Sequence, residues 1–138
     1  MAFPQRRDMD MIRDLLLQIE GGKKAFQIID PTSAPALGVE PEMEMTSEEA
    51  AKLELHLEML ADAQFITIAR LSGGYWQIKS LTWTGHDFID SVRDPEIWKD
   101  TKDAATKAGG FTVDLLKALA KGLIKTQLKK HTGLELEF

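Results

Sequence analysis

Cysteine is absent from the 138-residue chain. That removes disulfide frameworks, thiolate metal sites and thiol nucleophiles together. Long apolar runs are missing as well: no stretch approaches the ~20 residues a bilayer-spanning helix needs. The segment from Met1 to Asp10 has no apolar core of the signal-peptide kind. A cytoplasmic protein with no integral membrane association is expected. Histidine is scarce, and His56, His86 and His131 fall on separate elements without His-x-x-x-His spacing. A metal site would need two of them to converge with a carboxylate. No Gly-x-Ser-x-Gly elbow, Gly-x-Gly-x-x-Gly loop or Walker pattern occurs, and a hairpin turn accounts for Ser72 in Ser72-Gly73-Gly74. The expectation is therefore no enzyme, no metal and no cofactor.

What the chain does contain is an ordinary globular composition, 43% apolar and 28% charged, at a length suited to one core. Its net charge of −5 is unevenly spread. Residues 1–98 carry 9 Lys/Arg against 17 Asp/Glu, whereas residues 99–131 carry 8 Lys against 3 Asp. An acidic body is followed by a basic tail, and the basic residues of that tail are all lysine.

Gly-Gly pairs at 21–22, 73–74 and 109–110 punctuate the chain. Ile12, Leu15, Leu16 and Ile19 share one stripe at helical spacing, which predicts a helix over 8–20 with Asp8 as N-cap and Gly21-Gly22 as its stop. A short extended run follows over 25–29, then an irregular loop over 30–45 holding three of the five prolines. Thr46-x-x-Glu49 is a capping box that opens a second helix to about Asp62. Its inner stripe is Ala50, Leu53, Leu57, Leu60 and Ala61, while Leu55 and Met59 fall on the opposite side. Phe65–Leu71 and Tyr75–Leu81 read as a hairpin around Ser72-Gly73-Gly74. Thr82 or Thr84 can cap a short helix burying Phe88, Ile89 and Val92, and Pro95 suits the first turn of another, carrying Ile97 and Trp98 to near Gly109. A last helix is predicted over 112–130.

Helix, extended segment, helix and two-stranded hairpin is the order of a winged helix, with the hairpin as wing. The predicted fold is accordingly α+β: a winged-helix-type domain over 8–94, a C-terminal helical extension over 95–131, and a frayed tail over 132–138.

Several motifs recur in order: Arg7-Asp8-Met9-Asp10-Met11-Ile12-Arg13, His56-Leu57-Glu58-Met59-Leu60-Ala61-Asp62-Ala63, Leu81-Thr82-Trp83-Thr84-Gly85-His86-Asp87-Phe88-Ile89-Asp90 and Arg93-Asp94-Pro95-Glu96-Ile97-Trp98. Together they resemble a family of uncharacterised bacterial and prophage proteins, a domain of unknown function, over most of the chain. The resemblance implies a winged-helix fold and a phage context, and it assigns no activity. One departure stands out. The family has Ala-Gly-Leu after the second helix, where Gly ends the helix in a left-handed conformation; here the sequence is Ala63-Gln64-Phe65.

Two readings of function follow. In the first, the chain is a phage-associated nucleic-acid-binding or transcription-regulatory protein whose partner is double-stranded DNA. Arg70 and Lys79 of the wing, Lys52 of the second helix, and Lys117, Lys121, Lys125 and Lys129 along the last helix would contact phosphates. Opposing it, the second helix opens with Glu48 and Glu49, and carboxylates repel phosphate. In the second reading the domain recognises a host or phage protein through Leu55 and Met59. Ile124 and Leu128 lie beside the lysine stripe, where packing on one core does not explain them, and could support a homodimer through the last helix.

Overall fold

A computed structural model of the chain describes residues 5–29, 45–110, 112, 114, 115, 118 and 122. Asp8 opens the first helix, α1 (Met9–Glu20), and its carboxylate accepts the Met11 N–H at 3.2 Å. That satisfies one of the donors a helix N-terminus leaves free. The expected stripe of Ile12, Leu15, Leu16 and Ile19 is buried, joined by Met9. α1 ends where Gly22 takes a φ of +112° and the Gly22 and Lys23 N–H groups fold back onto the Ile19 and Gln18 carbonyls.

The extended run is shorter than expected, forming β1 (Ala25–Gln27), although the Ile28 N–H still reaches the Gly74 carbonyl at 2.8 Å. The capping box then starts α2 (Ser47–Asp62). Thr46 Oγ1 accepts the Glu49 N–H at 3.0 Å, and the Glu49 carboxylate accepts the Thr46 N–H at 3.4 Å. Ala50, Leu57 and Leu60 are buried on its inner side together with His56.

β2 (Ile66–Arg70) and β3 (Tyr75–Leu81) form the predicted hairpin, joined by a 3₁₀ turn over Ser72–Gly74. β1 joins them, giving an antiparallel sheet in the order β1-β3-β2, with Phe26 opposite Trp76. Glycine is required at 74, where φ is +77° and a Cβ would stand 2.4 Å from the Ile28 carbonyl oxygen. Along β2 and β3 the register steps from Thr67↔Ser80 to Ile68↔Ile78. Lys79 is thus left unopposed in a bulge.

Trp76 and Ile78 point inward from β3, while Tyr75, Gln77 and Lys79 are exposed. α1 lies against β3, α2 lies against β2, and the two helices touch. Leu16, Leu57, Leu60 and Ile66 are sealed from solvent between them, each contributing ~1.5–3 kcal/mol by burial.

Two compact units are distinguished, Met1–His86 and Asp87–Phe138. The division falls within α3 (Trp83–Val92), which Thr82 caps by accepting the Gly85 N–H at 3.1 Å. In the second unit Phe88, Ile89 and Val92 are buried as expected. Asp94 caps α4 (Pro95–Lys107) by accepting the Glu96 and Ile97 N–H groups at 2.8 and 3.0 Å. Ile97, Trp98, Thr101 and Ala105 form its buried side, and it closes with Gly109 at φ +96°. The helix predicted over 112–130 and the tail over 132–138 lie for the most part outside the described residues. Among the described residues the fold is α+β, with four helices and a small three-stranded antiparallel sheet.

Candidate functional site

The face formed by α2 and the hairpin is where the sequence placed Lys52, Arg70, Leu55 and Met59. Lys52 is not free there. Its Nζ sits 2.8 Å from the Asp8 carboxylate. The lysine's hydrogen bond holds the Asp8 carboxyl below its ordinary range, and the carboxylate in turn raises the Lys52 ammonium. One turn on, the buried His56 completes the junction. Its Nδ1 lies 2.7 Å from the Lys52 carbonyl, and its Nε2 accepts the Asp8 backbone N–H at 2.9 Å. That pairing fixes a neutral imidazole with the proton on Nδ1. Asp8 therefore caps α1, pairs with Lys52 and donates to His56, which locks the start of α1 to the middle of α2.

Arg70 is engaged as well. Its guanidinium bonds the Glu58 carboxylate, lies 3.6 Å from that of Glu54, and stacks 4.1 Å from the Trp76 ring centroid. Leu55 and Met59 are half-buried, so α2 does not present them as an open apolar pair. Exposure of large apolar side chains falls elsewhere. Leu71 (54%) and Tyr75 (44%) flank the hairpin turn, and Trp83 is 89% exposed at the start of α3.

Beside α1 and α2 a groove of about 570 Å³ is rimmed by Asp8, Asp10, Asp14 and Glu49, against Lys23 and Lys52. Its net negative rim is unsuited to phosphate. A second cleft, of about 200 Å³, opens where the end of α1 meets β3, lined by Lys23, Lys24, Lys79 and His86, with Glu20 as its one carboxylate. Lys23 turns away toward Gln18 and the Phe26 ring. Lys24 and Lys79 have no ion-pair partner among the described residues. Lys79 is the residue that the register step leaves unopposed in β3.

The structure thus separates the predicted phosphate contacts. Lys52 and Arg70 are consumed by carboxylates, Lys79 belongs to a different cleft, and Lys117, Lys121, Lys125 and Lys129 lie outside the described residues, as do Ile124 and Leu128. His56 is buried in the middle of α2, whereas His86 is exposed in the first turns of α3. Neither Lys24 nor Trp83 is among the contacts expected from the sequence. For Trp83 a signal existed: at 100° per residue it lies roughly opposite the Phe88, Ile89 and Val92 stripe. Among the described residues no group of three His, Asp or Glu is placed to hold a metal ion, and no helix is long and apolar enough to cross a membrane.

A family described as hypothetical protein (DUF2513) matches residues 6–111. The chain belongs to this family. The match spans α1 through α4, and with it the motifs over 7–13, 56–63, 81–90 and 93–98. An uncharacterised protein of Haemophilus influenzae is 24% identical over 127 residues, covering 89% of this chain and 98% of that protein. No solved structure matches. The DUF2513 assignment carries no activity, so function rests on the surfaces described above.

Proposed function

We propose that this DUF2513 protein is a non-enzymatic, phage-associated nucleic-acid-binding domain of winged-helix type that holds phosphates with lysines lying away from the α2–hairpin face. The order helix, strand, helix, hairpin, with the sheet order β1-β3-β2, supports the winged-helix reading. The observation that carries the functional reading is the segregation of cations. Those beside α2 are neutralised internally, whereas Lys24 and Lys79, at a concave surface, have no ion-pair partner among the described residues. The lysine-rich stretch over 99–131 adds further positive charge. Lysines act as point charges with little base readout, so binding should be salt-sensitive and sequence-tolerant.

Fluorescence anisotropy with random-sequence duplex DNA, at low and near-physiological salt, tests this reading. The full chain should bind at low salt and weaken steeply as salt rises. A Lys117→Glu/Lys121→Glu/Lys125→Glu/Lys129→Glu variant should lose most of that affinity. Absence of binding at low salt would refute the reading.

A second reading is favoured by the α2–hairpin face itself. With its cations paired and Leu71 and Tyr75 exposed at the turn, that face suits a host or phage protein better than a phosphate backbone. Such a complex would be insensitive to salt and broken by Tyr75→Asp. A homodimer through Ile124 and Leu128 is compatible with either reading, and the solution mass by sedimentation equilibrium, compared with that of Ile124→Asp, distinguishes it from a monomer.

A further inference from the structure

We propose that Trp83 and the Lys24/Lys79 cleft together form a contact site for single-stranded nucleic acid, the indole stacking on a base while the two ammonium groups hold adjoining phosphates. This rests on the nucleic-acid reading and narrows it to one strand state and one surface. Two independent features are joined here through His86.

The first is Trp83. The chain's other tryptophans, Trp76 and Trp98, are each 4% exposed, whereas Trp83 is 89% exposed. An indole so open adds almost nothing to the core, and it projects from the first turn of α3 on the side opposite the buried stripe. It offers a free aromatic face of the kind on which unpaired bases stack. Bases inside a duplex have no face to offer.

The second feature is the cleft. Its volume of about 200 Å³ holds a phosphate group with several waters, each taking ~30 Å³. Lys24, from the approach to β1, and Lys79, from the β3 bulge, both line it. The end of α1 brings one carboxylate, Glu20, against these two lysines, while its Leu17, Gln18 and Ile19 carbonyls already accept N–H groups from Gly21, Lys23 and Gly22. His86 links the two features. It lines the cleft and lies three residues after Trp83 on the same helix, a spacing that makes side chains neighbours.

A nucleotide carries base and phosphate on one sugar, so a strand whose base rests on Trp83 brings its backbone past His86 to the two lysines. The hairpin turn lies at the opposite end of β3 from this site. Contact here therefore does not use the α2–hairpin face.

The test is binding of labelled oligothymidylate to the full chain, followed by anisotropy, with tryptophan fluorescence recorded in parallel. Because Trp76 and Trp98 are buried, saturable quenching reports on Trp83. Trp83→Ala, at an exposed position, should abolish the quenching and weaken binding roughly 5- to 150-fold, the range for one base–aromatic stack. Lys24→Ala/Lys79→Ala should flatten the slope of log K against log salt by about 1.4, two contacts at ~0.7 each for single strands. If Trp83→Ala binds oligothymidylate as tightly as the unaltered chain, this site is refuted while nucleic-acid binding elsewhere stands. If neither oligothymidylate nor duplex binds at low salt, both readings fall together.

Discussion

Replacing Gln64 by glycine should make the protein more stable, although it removes a side chain and adds freedom to the unfolded chain. Three helices end in the same hydrogen-bond pattern. After α1, Gly22 and Lys23 donate to Ile19 and Gln18; after α4, Gly109 and Gly110 donate to Thr106 and Ala105; after α2, Gln64 and Phe65 donate to Ala61 and Leu60 at 3.0 and 2.9 Å. This closure requires a left-handed residue just past the cap. Glycine fills it twice, and Gln64 fills it at φ +62°, alone among the described non-glycine residues in having positive φ. The left-handed conformation costs an L-residue ~1–2 kcal/mol. Glycine relieves that cost but gives back ~0.4–1 kcal/mol through the unfolded chain. Because the Gln64 side chain is exposed, little packing is lost, and the balance favours Gln64→Gly by ~0.5–1 kcal/mol. In urea, with an m-value of about 2 kcal/mol/M, the midpoint should rise by roughly 0.3–0.5 M with the slope unchanged. Gln64→Val, β-branched in the same conformation, should move it the other way. An unchanged or lowered midpoint for Gln64→Gly would refute the reasoning.

The Asp8–Lys52 pair makes a prediction about pH. Lys52 holds the Asp8 carboxyl below the ordinary 3.8, so its contribution to stability is present above that value and is lost as pH falls through the depressed one. The Lys52 ammonium is raised above 10.5, so its contribution is present below that value and disappears as pH rises through the raised one. The stability gap between the unaltered chain and Lys52→Met should therefore be widest between about pH 5 and 9 and close at both extremes. With side chains 48% and 36% exposed, the gap should not exceed about 1 kcal/mol; urea midpoints across pH check it, and a gap that ignores pH would contradict it. Gly85→Ala should be more damaging. Its Cβ would stand 2.2 Å from the Phe65 carbonyl oxygen and 2.7 Å from a Leu81 methyl, at a cost of about 2–3 kcal/mol, and a thermal midpoint within a degree of the unaltered chain would show that the contact yields.

Most of the backbone was legible because local signals agreed with one another. Asp8 and Thr46 each cap the helix that their spacing announced, Pro95 opens α4 as its first-turn preference implies, and Ser72-Gly73-Gly74 turns the hairpin where β-formers stop on both sides. Gln64 was flagged by its departure from a family glycine, and it adopts the strained conformation which that departure implies. Pairing between distant segments was not legible. Nothing in Ala25–Gln27 says that it lies beside β3, because a three-residue strand takes its register from its partner. The candidate contacts suffered for the same reason. Lys52 and Arg70 look available in sequence because their partners are far away or off pattern: Asp8 is 44 residues from Lys52, and Glu54 and Glu58 lie on another element from Arg70. The bulge that places Lys79 arises from a register step that no single residue encodes.

These internal pairings decide which substitutions can report on ligand binding. Lys52→Glu would set a carboxylate beside Asp8 and disturb the junction through which His56 joins α1 to α2. Arg70→Glu would bring a third carboxylate to Glu54 and Glu58 and uncover the Trp76 ring. Loss of binding in either variant would be indistinguishable from loss of the α2–hairpin geometry. Among the described residues Lys24, Lys79 and Trp83 have no such entanglement: the lysines are exposed and without an ion-pair partner there, and the indole lies outside the core. Altering them changes charge or aromatic surface while leaving the caps, the sheet register and the Asp8 junction in place. A binding defect confined to these three, with an unchanged urea midpoint, assigns the contact to that surface. A defect seen with Lys52 or Arg70 variants alone, accompanied by a lowered midpoint, reports on folding.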